Sequence, residues 1–251
     1  MIDNLTDRER TEKSHFDSYA SVYDQNYGYL DSFTKYKISK KINEFSKFVK
    51  ENTKHKNINI LEVGCGTGEY TKKIAMKFPH STIVAMDISP EIIKVARKKC
   101  KNLKNIKFVV GSAYKTKYPK DRFDVVCGFY VLHHLEVDKF RTECNRLLKK
   151  NGIGFFYEPN ILNPLVYIIK SNKVIKKRIG DSPDEWAMNP IVVKKLFPSF
   201  RVETEISEFI YPFKFLNLSV LKRIDKLANN FSQIPILKYF GGSVQIMLFK
   251  E

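Results

Sequence analysis

From residue 58 onward the chain alternates two hydrophobic periods. Short runs of aliphatic and β-branched residues are separated by stretches whose apolar positions recur every three or four residues. The runs at 58–63, 82–86, 106–110, 123–127 and 152–157 predict strands, and the stretches at 69–78, 90–101 and 139–149 predict helices. Ser89 is an N-cap signal for the second of these helices, and Asn151-Gly152 is a C-cap and turn signal before the fifth strand. Two later runs, 201–209 and 243–249, predict further strands. Strands alternating with helices imply an α/β fold, a parallel sheet covered by helices on both faces.

The first 57 residues read differently. Ile38, Ile42, Phe45 and Val49 recur at helical spacing between Lys, Ser and Glu, and a Tyr- and Gly-containing segment at 23–33 precedes them. The expected organisation is an N-terminal helical cap at 1–57 and a single domain at 58–251, with helical insertions near 160–198 and 210–240. In the first insertion, residues 164–179 place Leu165, Ile168, Ile169, Ile175 and Ile179 near one helical face. Lys170, Lys173, Lys176, Lys177 and Arg178 lie mostly on another. Such a stripe packs on its own domain, lies on an anionic bilayer, or covers a lipid-phosphate acceptor. Residues 181–186, with Trp186, and the aromatic run 209–215 are expected near the acceptor pocket as its lid.

The chemistry concentrates where the first predicted strand ends. Glu62-Val63-Gly64-Cys65-Gly66-Thr67-Gly68 runs a buried strand into three glycines at alternate positions, a turn that tolerates positive φ and close approach of a ligand. A dinucleotide fingerprint starting at Gly64 would need glycine where Glu69 stands, and an acid there opposes a pyrophosphate. A sulfonium meets no such objection, and Glu62 complements its amino-acid moiety. Asp87 closes the second strand, where a carboxylate can accept both hydroxyls of a ribose, with Ile88 beside it. Gly111-Ser112-Ala113 forms a polar turn after the third strand, where an adenine would lie.

Residues 58–158 resemble the class I S-adenosylmethionine-dependent methyltransferase core of the ubiquinone/menaquinone and small-molecule type. Glu62–Gly68 resembles its motif I and Asp87 its ribose acid. Phe123-Asp124-Val125-Val126 with Val131-Leu132-His133-His134-Leu135 resembles its fourth-strand signature, and Leu147 to Gly152 the turn before its fifth strand. His15-Phe16-Asp17-Ser18-Tyr19-Ala20-Ser21-Val22-Tyr23-Asp24 resembles the F-D-x-x-A-x-x-Y-D segment that covers the cofactor. One position departs: Ser112 stands where the family usually has an acid facing the adenine amino group. The resemblance implies a Rossmann-like, seven-stranded, mostly parallel sheet whose last strand is antiparallel, with S-adenosylmethionine as cofactor and S-adenosylhomocysteine as product. Candidate cofactor contacts are Tyr19, Tyr23, Glu62, Gly64, Cys65, Gly66, Thr67, Gly68, Asp87, Ile88, Gly111, Ser112, Ala113, Gly128, Phe129 and Tyr130.

Methyl transfer needs an aligned nucleophile and exclusion of water, and a general base only when the acceptor is a hydroxyl or an acidic carbon. His134 and His133, just after the fourth strand, are candidates for a base or an acceptor-positioning group. The alternative is a structural imidazole that caps the following helix. Glu158, Asn160 and Trp186 are candidate substrate contacts, the first two because they end the fifth strand.

Composition refines this. Cys65, Cys100, Cys127 and Cys144 have no C-x-x-C spacing, so reduced buried thiols are expected, with neither disulfides nor a metal centre. The net charge of +17 invites a nucleic-acid reading, but 35 of the 44 basic residues are Lys, whereas bidentate phosphate recognition favours Arg. The loop after the fourth strand reads Gly128-Phe129-Tyr130-Val131 rather than N-P-P-Y, and no Pro-Cys pair exists for cytosine attack. A polar start at 1–10 is no secretory signal, and no apolar run approaches the ~20 residues of a membrane span. The expectation is a cytoplasmic monomer or homodimer, at most peripheral to an anionic membrane. It methylates a small-molecule or lipid- or sugar-linked acceptor by direct SN2 transfer. The rivals are an RNA or DNA methyltransferase and a non-catalytic cofactor-binding protein.

Overall fold

The computed structural model describes residues 5–179, 181–182, 185–210 and 216–251. Three helices come first: α1 (Asp7–Tyr19), α2 (Tyr23–Asn26) and α3 (Ser32–Asn52). The alternating region is next: β1 (Asn59–Val63), α4 (Glu69–Lys77), β2 (Thr82–Asp87), α5 (Pro90–Lys99), β3 (Ile106–Val110), β4 (Phe123–Phe129), α6 (Val137–Leu147) and β5 (Leu148–Pro159). Then come α7 (Pro164–Ser171), α8 (Lys173–Ile179), α9 (Val193–Leu196), β6 (Arg201–Ser207), α10 (Leu218–Ala228) and β7 (Ser243–Phe249).

The seven strands form one sheet in the order β3-β2-β1-β4-β5-β7-β6. Neighbours from β3 through β5 pair in parallel, and β7 runs antiparallel to both β5 and β6. Successive residues of a strand face opposite sides, and both sides are apolar, as a parallel sheet between two helical layers requires. Leu61, Val63, Val126 and Phe156 join Phe140, Cys144 and Leu147 of α6 in one core. Ile60, Val125, Phe155 and Tyr157 join Ile38, Ile42, Phe45 and Val49 of α3, with Ile74 of α4, in the other. Each such side chain withdrawn from water stabilises the fold by roughly 1.5–3 kcal/mol.

Side chains cap the helix starts, and the Ser89 signal is among them. Asp31 Oδ1 accepts from the amides of Phe33 at 2.8 Å and Thr34 at 3.0 Å, fixing the start of α3. Ser89 Oγ accepts from Ile92 N at 3.1 Å, with Pro90 opening α5.

Two expectations are corrected. The helix expected over 139–149 ends at Leu147, and the chain is extended from Leu148, with Asn151 left-handed at φ 60° inside β5. A register shift between Phe123 and Val125 accommodates that bulge. The single amphipathic helix expected over 164–179 is two helices. Asn172 interrupts it, its Oδ1 accepting from Val174 N and Ile175 N at 3.0 Å. Lys170 and Lys176 are also buried rather than on a solvated face. Of the expected lid, residues 183–184 and 211–215 lie outside the described residues.

Candidate active site

A cavity of about 470 Å³ opens where the sheet order reverses between β1 and β4. Its wall takes residues from the carboxyl ends of several strands: Gly64 after β1, Ile88 after β2, Gly111 after β3, Tyr130 after β4 and Glu208 after β6. Open α/β sheets bind ligands in that crevice. Helices α1, α3 and α7 add Glu9, Glu12, Phe16, Lys37, Lys41, Val166 and Lys170.

At the β1 end, Gly64 and Gly66 adopt φ of +65° and +51°, which side-chain-bearing residues rarely accept. The space above them is already claimed. A β-carbon at Gly64 would lie 2.3 Å from Val131 Cγ2, and one at Gly66 would lie 3.2 Å from the Tyr23 hydroxyl oxygen. Asp87 stitches this turn to β2, its Oδ2 accepting from Gly66 N and its Oδ1 from Ser89 N, both at 3.0 Å. Burial pushes its carboxyl above the usual range, although the amides of Ser89, Gly66 and Ile88 pull the other way. Beneath the turn, Glu62 is buried, and among the described residues neither its Oε2 nor Thr71 Oγ1 has a hydrogen-bond partner. Burial, with the Asp87 charge adding to it, pushes Glu62 up to about 8.

At the β4 end, Tyr130 turns the chain with φ 58°, and Glu158 organises the loop beyond it. Glu158 Oε1 accepts from Val131 N at 3.0 Å and Leu132 N at 2.8 Å, while its Oε2 lies 2.5 Å from His133 Nδ1. His133 Nε2 is 3.3 Å from Glu185 Oε1. Burial opposes charging of this imidazole, but the Glu158 and Glu185 carboxylates outweigh it and raise His133 to about 9. His134 sits on the cavity wall with Nδ1 3.1 Å from Glu12 Oε2 and Nε2 3.9 Å from Glu185 Oε2. Burial works against ionised Glu12, yet His134 and Ser182 hold it below the ordinary carboxylate range. Ser182 donates to Glu12 Oε1 at 2.7 Å, and Lys170 bridges Asp181 and Glu185. Arg8 clamps α1 to this loop, donating to the carbonyls of His133 at 2.7 Å and His134 at 2.8 Å.

A third wall is polar and buried. Lys41 donates to Glu208 at 2.6 Å, and Lys37 to Asp225 at 2.9 Å. The Tyr130 hydroxyl donates to Glu208 Oε2 at 2.9 Å. Glu208, like Tyr130, has a left-handed backbone, φ 65°. Burial opposes its ionisation, but Lys41 and Lys37 hold it well below the usual carboxylate range.

Of the residues singled out in the sequence, Tyr23, Gly64, Cys65, Gly66, Asp87, Ile88, Gly111, Ala113, Phe129, Tyr130 and His134 line the cavity. Tyr19 packs on His15, and Thr67 bonds Asp24 and Lys99, which anchors α2. Glu62 and His133 sit behind the wall, Gly68 caps α4, and Gly128 packs on Val131. Ser112 is tied to Glu9 and to Tyr114 N. Glu158 and Asn160 are fully buried, Glu158 spent on two backbone amides and His133, while Asn160 Nδ2 donates to Tyr239 O at 2.8 Å and Gly241 O at 2.7 Å. Trp186 is 47% exposed and away from the cavity wall. The sequence reading missed Glu9, Glu12, Lys37, Lys41, Glu185 and Glu208. For Glu9 a signal existed, the capping box Thr6-x-x-Glu9. The four cysteines are free and buried.

Residues 61–156 match the family model for a methyltransferase domain. A demethylmenaquinone methyltransferase of Chlorobaculum parvum is 35% identical over 126 residues, 48% of this chain and 51% of that protein. The chain thus spans about half the length of that relative. A demethylmenaquinone methyltransferase of Staphylococcus carnosus is 26% identical over 100% of this chain and 97% of its own. Among solved structures, the plantazolicin methyltransferase in complex with S-adenosylhomocysteine shares the fold with a TM-score of 0.65 at 16% identity, covering 97% of this chain and 95% of that one. Residues 61–156 are thus a methyltransferase domain, and the sheet order with the glycine turn at the end of β1 gives the chain the Rossmann-like fold of the class I S-adenosylmethionine-dependent enzymes.

Proposed function

We propose that this protein methylates a hydroxyl group of a small, lipid-linked acceptor, with His134 as the general base. One observation carries the reading. A single cavity joins an acid-braced glycine turn at Asp87 to an imidazole whose Nδ1 lies 3.1 Å from Glu12 Oε2.

The residues at the first end fit the adenosyl donor. Asp87 is a partly buried carboxylate that accepts from the amides of Gly66 and Ser89 at 3.0 Å and keeps lone pairs for further donors. Glu62, with an unpartnered oxygen, lies behind the same turn. When bound there, S-adenosylmethionine supplies a methyl group on a sulfonium, and its transfer leaves a neutral thioether. The chain's own work is positional. Phe16, Tyr23, Phe129 and Tyr130 wall the cavity against water. The Glu12 charge 3.1 Å from His134 Nδ1 favours a proton there, and Nε2, 3.9 Å from Glu185 Oε2, is then the nitrogen that accepts the hydroxyl proton as the new C–O bond forms.

The surface beside the cavity supports a lipid-linked acceptor. Val166 and Gly242 line the cavity, and exposed apolar side chains adjoin them on 165–192 and 227–240, including Ile168, Val174 and Ile236 at 55%, 78% and 74%. Among the described residues the acids of the first stretch, Asp181 and Glu185, pair with Lys170, and Asp225, just before the second, pairs with Lys37 and Lys40. Lys173, Lys177, Arg178, Lys194, Lys222 and Arg223 remain exposed. Apolar side chains among exposed cations suit an anionic bilayer. The names of the demethylmenaquinone relatives are consistent with such an acceptor. No helix among the described residues is long and apolar enough to cross a membrane.

The test is transfer of label from methyl-labelled S-adenosylmethionine to fractions of a cell extract. Label is expected in an organic-soluble, hydroxyl-bearing fraction. Label in RNA, or none in any fraction despite tight binding of S-adenosylhomocysteine, would overturn the proposal.

A further inference from the structure

Ser112 is where the sequence left a gap, and the structure fills it from elsewhere. The Ser112 hydroxyl donates to Glu9 Oε1 and accepts from Tyr114 N at 3.1 Å. Glu9 is carried by α1, far away in sequence, yet it is 5% exposed and shares the cavity wall with Ile88, Gly111 and Ala113. A carboxylate therefore stands on the wall beside the turn after β3, although that turn contains no acid.

Glu9 is also held rigidly. Its Oε2 accepts from Thr6 N at 2.9 Å in the capping box, and the neighbouring Arg8 grips the carbonyls of His133 and His134. Each carboxylate oxygen has two lone pairs. Ser112 uses one on Oε1 and Thr6 one on Oε2, so Glu9 keeps acceptor capacity. An aminopurine offers an exocyclic N–H donor, whereas a 6-oxopurine offers an oxygen that a carboxylate repels. The surrounding Ile88, Gly111 and Ala113 are apolar or small, the lining a flat aromatic base packs against.

We propose that Glu9 is the acid that reads the exocyclic amine of the adenine, delivered by the N-terminal helix in place of an acid at position 112. Adenine is then recognised only while α1 is docked. Ser112 is the positioning residue that aims Glu9. This inference rests on the S-adenosylmethionine reading of the cavity.

Calorimetric titration of the full chain with S-adenosylhomocysteine and with S-inosylhomocysteine tests it. The wild type is expected to bind the adenosyl compound at least tenfold more tightly than the inosyl one. In Glu9→Gln the adenosyl affinity falls about tenfold, in line with a lost hydrogen bond to a charged group, and the preference narrows or reverses, since an amide N–H can donate to a 6-oxo group. Adding Ser112→Asp to Glu9→Gln restores the preference. Thr6→Ala removes the cap but not the acid, so it leaves the preference intact and controls for fraying of α1. An unchanged preference in Glu9→Gln, or an equal loss for both nucleosides, would overturn the proposal. Failure of the wild type to bind either compound would instead sink the cofactor reading beneath it.

Discussion

His134 Nδ1 lies 3.1 Å from Glu12 Oε2, so a helix at the start of the chain orients an imidazole on the loop after β4. His134→Gln should retain S-adenosylhomocysteine affinity within about twofold and lose roughly 10²–10⁴-fold in kcat, the usual worth of a general base. Glu12→Gln should lose less, because a neutral acceptor still selects the tautomer. Single-turnover kinetics with the labelled acceptor separates the two effects. Unchanged kcat in His134→Gln would remove the base.

Asp87 gives a prediction about pH and cofactor affinity. Its folded-state pKa is raised by burial, and the ionised form accepts from ribose hydroxyls more strongly than the neutral acid. Affinity for S-adenosylhomocysteine should therefore weaken as the pH falls through that raised value, with proton uptake accompanying release of the ligand. Titrations at several pH values should show the slope in the wild type. Asp87→Asn should bind at least tenfold more weakly and lose this dependence.

His133 concerns stability. Its folded pKa, about 9, exceeds the 6.5 of an unperturbed imidazole. The stabilisation from its bond to Glu158 is fully present below about 6.5 and is lost as the pH rises through about 9. His133→Gln should melt lower than the wild type at pH 6 by roughly 5 °C or more, and the two curves should converge near pH 10. Parallel curves across that range would refute the assignment.

The apolar and basic surface beside the cavity is tested with vesicles. Binding to vesicles containing phosphatidylglycerol should exceed binding to phosphatidylcholine alone and should fall with salt. Replacing Lys173, Lys177 and Arg178 by Glu should abolish most of it. Binding equal on both lipids, or a concentration-dependent dimer that hides the same face, would point to another occupant.

The sheet and its glycine turn were legible because they depend on local pattern. Continuous apolar runs marked β1 to β4, and a carboxylate at the tip of β2 followed from Asp87. Where periodicity carried past its cause, the reading slipped. Leu147 and Leu148 continue a helical stripe, yet only Asn151 taking a left-handed turn lets Gly152 enter the sheet. Glu158 and Asn160 sit at a strand's carboxyl end, a position that suggested ligand contact, but backbone donors and acceptors claim them first. Gly64 lines the cavity and, like Gly128, also makes room for Val131, a packing demand that the glycine spacing does not announce. Glu9 and Glu12 were invisible as site residues because their partners, Ser112 and His134, are fixed only by tertiary packing.

Helix α1 touches the turns after β2, β3 and β4 at once, through Asp17 with Ser89, Glu9 with Ser112, and Arg8 with the His133–His134 carbonyls. One helix thus ties together three turns of the cavity rim, so loosening it is expected to speed exchange of a bound nucleoside. Stopped-flow release of S-adenosylhomocysteine should accelerate when Arg8 is shortened to Ala, and turnover with it, if the doorway sets the pace.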